Sequence, residues 1–527
     1  MLRAVLLVLT LLWPAALLSQ TLDELAPRLA EGDFAAKALV VAQIGATADP
    51  RAAPLLTALG EGELHQIKAD GRLVIVRREG ATDALTGEAL GPLPRGAAER
   101  IRVNNTLRRA IRSAVGVLTL RSPDRAVRIA AANSVFRSRD GEQIEPLQAA
   151  LAEETDAAVR RALEAALASA TLAADRPAAE RIAALDRLAA RGDRDSLALI
   201  IAAVSDPDAA VAEAAAEARA AVERRLALWD AARNVWFGVS LGSVLMLAAI
   251  GLAITFGVMG VINMAHGELV MIGAYVTFAV QQAIRAHAPE LFDWSLAIAL
   301  PLAFLTAGAV GVAIERGVCR FLYGRPLETL LATWGVSLIL QQAVRSLFGP
   351  TNREVGNPSW MSGGFEVGQL LITWNRFWIV LFALAVFAAL LVLLKRTPMG
   401  LQMRAVTQNR RMADAMGVRT GWVDAMTFGL GAGIAGVAGV ALSQVDNVSP
   451  NLGQGYIVDS FMVVVFGGVG NLWGALAGAF TLGIVNKFLE PWTGAVVAKI
   501  LVLVFIILFI QKRPRGLFAL RGRAVEQ

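Results

Sequence analysis

The stretch 251–275, GLAITFGVMGVINMAHGELVMIGAY, decides how the rest of the chain is read. An apolar run gives way to Asn263, His266 and Glu268 and then resumes. Polar side chains flanked by enough apolar sequence to cross a bilayer are costly in hydrocarbon, so they normally face other helices or a water-filled path. The chain is therefore expected to be organised around a pathway through a membrane. The alternative role for the three residues is hydrogen bonding between helices, with Gly260 and Gly267 marking a tight packing site. His266 is a possible proton carrier, against the plainer reading of a neutral, packed imidazole.

Moving outward, 56% of the 527 residues are hydrophobic and mean hydropathy is +0.54, yet 18% are charged. That is too apolar for one soluble domain and too charged for a membrane domain throughout, so two unlike halves are expected. Net charge is +6 with a pI near 9.9. The basic residues recur in short loops between apolar runs, the pattern that sets membrane orientation, so nucleic acid is not an expected partner. A single cysteine, Cys319, excludes an intramolecular disulfide framework. Histidines at 65, 266 and 287 have no metal-ligand spacing, so neither metal nor cofactor is expected.

Residues 1–20 carry Arg3, an apolar core and then Pro14 with small residues, as in a secretory signal peptide. An uncleaved signal anchor is the alternative, and either one exports the residues after it. Residues 21–230 are rich in Ala, Arg, Asp and Glu with helical spacing. Asp124, Asp156 and Asp208 each precede a Val/Ala run, as expected of residues that cap helix starts. Narrow faces of small residues require stacking on neighbours, so an exported array of HEAT-like helices is expected. Within it, 63–78 alternates apolar and polar residues around Asp70-Gly71, the signature of a β-hairpin. The bland role of scaffold or docking surface suits this half better than catalysis.

Residues 231–517 form the expected membrane domain, followed by a cytoplasmic tail, 518–527. Apolar runs near the roughly 20 residues needed to span hydrocarbon lie at 235–258, 269–284, 296–314, 329–348, 377–394, 422–442 and 496–510. The glycine-rich 457–488 adds two short spans or a re-entrant pair, for eight or nine in all. The fold class expected is all-α. Arg316, Arg320 and Arg325 share one loop, and Lys395, Arg396, Arg404, Arg410, Arg411 and Arg419 another. Lys512, Arg513 and Arg515 follow the last run. If these face the cytoplasm, the front domain lies outside, and 352–366 becomes an external loop.

The run GVMGVINMAHGE, 257–268, resembles the signature of LivH-type permeases, membrane subunits of ATP-driven importers for branched-chain amino acids and related solutes. The likeness covers about 235–516. TGWVDAMTFGLG (420–431), FMVVVFGGVGNLWG (461–474), FLEPW (488–492) and FIILFIQKRPRGLF (505–518) are similar to the urea permeases of that family. The resemblance implies a bacterial inner-membrane subunit, not an enzyme, that passes urea inward from a periplasmic binding protein. It also implies a second homologous permease and two ATPase subunits. No GxxxxGK[ST] phosphate loop is present, which agrees with an ATPase on another chain. A branched-chain amino acid permease and a passive urea channel are the alternatives; a membrane receptor is a further class.

Asn263, His266, Glu268, Gln444, Asn447 and Asn471 are the candidate pathway residues. Urea needs scattered hydrogen-bonding groups, whereas Glu268, Asp446, Asp459 and Glu490 would suit an ammonium group. The loop RAVTQNRRMADAMGVRT, 404–420, resembles the segment that docks on an ATPase, with Arg404, Arg410, Arg411, Met412, Ala413, Asp414, Ala415, Met416 and Gly417 as its coupling residues. A short helix with Ala413, Ala415 and Met416 exposed and Gly417 as its end is expected there.

Overall fold

A computed structural model describes residues 21–518 apart from 48, 78, 79 and 95. The expected signal peptide and nearly all of the cytoplasmic tail lie outside the described residues. The chain divides into two compact units between Leu226 and Ala227.

The first unit has two apolar cores, one built from Leu22 to Leu118 and one from Leu120 to Leu226. The anticipated hairpin is present: Leu64–Ile67 pairs with Leu73–Arg77, Leu64 opposite Ile75. Gly71 takes φ +76° in the connection, where a side chain is disfavoured. However, the all-α expectation fails here. The hairpin is the centre of a five-stranded antiparallel sheet, flanked by Gly80–Asp83 and then Ala89–Gly91 on one side and by Ala98–Arg100 on the other. These added strands are three or four residues long, have hardly any β-branched side chains, and depend on backbone pairing with the hairpin.

Helices Arg125–Ser138, Ile144–Glu153, Ala157–Ala173, Ala178–Arg191 and Arg194–Ala203 follow. Their lengths of 14, 10, 17, 14 and 10 residues set no constant repeat, and the sheet precedes them, so the unit is not clearly HEAT-like. The expected caps are seen. Asp124 accepts the Ala126 N–H at 2.8 Å, Asp156 those of Ala158 and Val159 at 2.8 and 3.0 Å, and Asp208 that of Ala210 at 2.9 Å.

Among the described residues of the second unit, seven helices are long and apolar enough to cross a membrane: Ala209–Met259, which begins in the first unit, His266–His287, the segment Pro289–Phe321, Trp374–Arg396, Thr420–Leu442, Leu472–Thr493 and Ala495–Lys512. The count expected was eight or nine. Leu452–Gly467 has 16 residues, about 24 Å of helix against roughly 30 Å of hydrocarbon. Pro326–Phe348 has the length, with 23 residues, but too many polar side chains to rank with the seven. Residues 352–366, expected as a loop, contain Ser359–Met361 in a short 3₁₀ turn and the start of a small hairpin, Gly364–Val367 with Leu370–Thr373.

Thr420–Leu442 is the centre of this unit, buried almost continuously from Val423 to Leu442. Small residues allow backbones to meet around it: a Cβ on Gly431 would strike Gly251, one on Gly436 Ala303 and Ala307, and one on Gly439 Val270.

Carboxylates of the first unit are acid-sensitive supports. The Val159 and Ala158 amides hold the Asp156 carboxyl below its usual range, and the Asp156 amide, aided by Arg128, does the same for Glu154. Burial works against Asp193, but Ser196 and Arg191 outweigh it and its net shift is also downward. Groups depressed in the folded state contribute fully above their unfolded values of about 4 and lose that contribution as pH falls through the folded ones. Amide protection across Ala157–Ala173 and Arg194–Ala203, measured by hydrogen exchange on the full chain, should therefore fall between about pH 5 and pH 3. Asp193→Ala should cost about 1 kcal/mol at neutral pH through loss of its cap.

Candidate functional site

The continuous helix Ala209–Met259 stops at Gly260, whose φ is +68°, and His266–His287 begins six residues later. Non-helical backbone at membrane depth must find partners within the protein. Here Thr333 supplies them: its hydroxyl accepts the Met264 N–H at 3.1 Å and lies 3.3 Å from the Ile262 carbonyl. Asn263 contributes its side-chain oxygen to the Ala265 N–H at 3.0 Å. Gly267, in the first turn of the new helix, meets the Gly453 backbone, where a Cβ would have no room.

The structure brings Asn263, His266 and Glu268 to this break, each 1% exposed. The imidazole Nε2 sits 2.8 Å from the Ala248 carbonyl, so Nε2 carries the proton it donates, in the tautomer that this contact requires. Glu268 accepts a hydrogen bond from Ser337 Oγ at 3.0 Å and forms no ion pair among the described residues. Asn263 Nδ2, His266 Nδ1 and Glu268 Oε2 are all buried without a partner among the described residues. Three such atoms within six residues are a concentration of unmet hydrogen-bonding capacity, the condition for taking water or a polar solute.

Facing them is a set of residues that sequence reading overlooked. Thr329, Thr333, Ser337 and Gln341 recur every fourth position of Pro326–Phe348 and are all buried. Residues four apart share a helix face, so the stripe covers about 18 Å of helix. Its signal was present in the sequence: four polar residues at constant spacing within an apolar run. At its far end Gln341 donates to Asn451 Oδ1 at 3.0 Å, as does Arg345 at 3.0 Å.

The other three candidates do not join the cluster; among the described residues no hydrogen bond connects them to it. Gln444 Nε2 contacts Ser443 Oγ at 3.1 Å, its Oε1 is buried and unpartnered, and it borders an apolar cavity of about 390 Å³ walled by Leu296, Trp360, Trp378 and Phe382. Asn447 is exposed. Asn471 caps Leu472–Thr493, accepting from Trp473 and Gly474 at 3.0 and 3.2 Å.

The loop after Trp374–Arg396 holds Pro398–Gln408 and a short helix, Arg410–Ala415, begun by an Asn409 side-chain bond to the Met412 N–H at 3.0 Å. Gly417, φ +86°, ends it, with the Val418 N–H returning to Ala413 O at 3.0 Å. Contrary to expectation Ala413 is buried; Ala415 and Met416 are exposed, as are Met412, Arg411 and Asp414. The helix turns Ala413 onto the protein and leaves the two methionines outward. Arg404 donates to the Leu394 carbonyl, tying the loop to the end of the preceding span.

Residues 234–510 match the family described as the branched-chain amino acid transport system / permease component. The chain is 34% identical over 294 residues to the high-affinity branched-chain amino acid transport system permease protein LivH of Escherichia coli K12, covering 54% of this chain and 94% of that one. It is 29% identical over 287 residues to BraD of Pseudomonas aeruginosa PAO1, named for the same system, covering 53% and 93%. The ribose import permease protein RbsC of E. coli K12 is 24% identical over 255 residues, covering 47% and 75%. No solved structure matches the chain.

Replacing Thr333 with Val keeps the side-chain shape but removes the acceptor for Met264 N–H. A buried amide left without a partner costs about 1–3 kcal/mol. Thr333→Val should lower the thermal midpoint of the detergent-solubilised protein, whereas Thr333→Ser should remain near the original.

Proposed function

The chain belongs to the family of branched-chain amino acid transport system permease components, and on that premise we propose that it is the translocating subunit of an ATP-driven importer for a branched-chain amino acid or a related small solute. It is a multi-pass membrane protein, and a permease subunit rather than an enzyme. The observation that carries the proposal is the pairing of the 263–268 break, with its three unpartnered polar atoms, and the Thr329/Thr333/Ser337/Gln341 stripe. Together they form a polar seam between otherwise apolar helices, and polar groups of that kind in a membrane mark solute routes.

In this reading the partners are a second permease of the same family, two ATPase subunits, and a periplasmic solute-binding protein that hands over the cargo. The first unit is periplasmic, and the Arg410–Ala415 helix meets an ATPase in the cytoplasm. Two arginine-rich loops converge, with the Arg410 guanidinium 4.9 Å from the Tyr323 ring centre. That convergence supports a common side for both, as the positive-inside rule requires. Cysteines placed at Asp124 and Arg410 should accordingly be labelled by an impermeant reagent from opposite faces of the membrane.

Urea is the second reading for the cargo, favoured by the motifs at 420–431, 461–474 and 488–492. The named relatives favour an amino acid instead. The two cargoes differ at Glu268: an ammonium group forms a charge-assisted bond with a carboxylate, whereas urea is neutral and an amide oxygen serves it nearly as well. Uptake of radiolabelled leucine and urea by a deletion strain carrying the chain and its partners separates the cases. Amino acid import should fall tenfold or more in Glu268→Gln; urea import should stay within about twofold, since a neutral acceptor remains. Uptake of neither solute would set aside both cargoes.

A further inference from the structure

The loop helix Arg410–Ala415 meets the membrane helices through an ionic group whose carboxylates are buried. Arg410 contacts Asp424 Oδ2 at 2.5 Å and stacks over Tyr323 at 4.9 Å. Tyr323 in turn donates its hydroxyl to Glu315 Oε1 at 2.7 Å, and Arg316 Nε lies 3.5 Å from Glu315 Oε2. The Asp424 and Glu315 side chains are each 1% exposed, whereas that of Arg410 is 45% exposed. Among the described residues nothing donates a hydrogen bond to Asp424 Oδ1 or Glu315 Oε2.

We propose that Arg410, Asp424, Tyr323 and Glu315 form a latch through which displacement of the Arg410–Ala415 helix is passed to the centre of the membrane unit. The proposal rests on the importer reading above. Its physical basis is the contrast in burial. An exposed ion pair is readily exchanged for water, but a buried carboxylate whose partner leaves is stranded in a poor solvent for charge. Asp424 therefore follows Arg410 rather than releasing it. Asp424 lies in the second turn of Thr420–Leu442, and Glu315 in the last turn of Ser295–Gly317. These two helices touch from Gly311 against Phe428 and Ala432 to Gly436 against Ala303, so neither end can shift without carrying its neighbour. The exposed side of the short helix, with Met412 and Met416, is left free to be gripped. Asp424, Tyr323 and Glu315 are thus positioning residues, acting through Arg410.

The test uses the assembled transporter, with its ATPase subunits and binding protein, in proteoliposomes. Solute imported per ATP hydrolysed is the measured quantity. Asp424→Asn is nearly isosteric and buried, so it removes the charge without altering the docking surface; the ratio should drop at least tenfold while the ATPase subunits still co-purify. The exchange Arg410→Asp with Asp424→Arg should restore at least a third of the original ratio. Tyr323→Phe, which keeps the ring and drops the bond to Glu315, should lower the ratio by a smaller factor. An unchanged ratio in Asp424→Asn overturns the latch. If that variant fails to assemble, the exchange variant decides: recovery of assembly and ratio supports the latch, and no recovery overturns it. Failure of the importer reading has a different signature, namely wild-type uptake that ignores ATP.

Discussion

A helix that stops inside a lipid-immersed bundle leaves amide and carbonyl groups with no water to receive them, and the structure is arranged around resolving that at 260–265. Thr333 takes the central part, accepting the Met264 N–H from a different helix while its own proton lies closest to the Thr329 carbonyl. The consequences extend beyond the break itself. Fixing Thr333 against the break fixes the register of Pro326–Phe348, which brings Ser337, one turn along, to Glu268. The polar seam is thus a product of backbone satisfaction first and side-chain chemistry second.

Lipid tails are as apolar as leucine, so no hydrophobic driving force holds helices together in a bilayer; close van der Waals fit has to do so. That accounts for Thr420–Leu442, an apolar helix with almost no surface left for lipid. Glycines on several of its faces meet different neighbours: Gly431 meets the first long helix, Gly433 meets Phe304, and Gly439 meets His266–His287. At Gly439 a methyl group would push main chain, at Gly431 both the Gly251 backbone and the Thr255 side chain, and at Gly433 the Phe304 ring. The helix is in effect the common surface on which the others are assembled. By contrast Ala495–Lys512, on the periphery, buries only Ala498, Val502 and Ile506.

How much of this was legible depends on the origin of each signal. Asn263, His266 and Glu268 stand out because polar residues are conspicuous against an apolar background, and they do lie together. Gln444, Asn447 and Asn471 were selected by side-chain type alone, and type says nothing of place: one borders an apolar cavity, one is exposed, one is a helix cap. The Thr329/Thr333/Ser337/Gln341 stripe carried a regular period, but threonine and serine are mild enough in hydropathy to pass as part of a span. Short strands such as Gly80–Asp83 gain their conformation from pairing partners distant in sequence, so no local pattern announces them. The pairing of Arg410 with Asp424 joins residues assigned to a loop and to a span, and only the turn between them sets their approach.

The two buried carboxylates near helix starts have opposite circumstances. Both Asp424 and Glu268 lie within the first two turns, where the positive end of the helix favours a negative group. Asp424 is met by Arg410 and its charge is answered from within the protein. Among the described residues Glu268 has only the Ser337 hydroxyl, and its second oxygen has no partner. A buried charge answered by one hydroxyl leaves a deficit on the order of several kcal/mol, of which the helix end returns up to about 2 kcal/mol. The carboxyl can relieve the remainder by holding a proton, or by meeting a cation or a strong donor. Asp424 is thus engaged from within the protein, while Glu268 keeps one oxygen without a partner among the described residues.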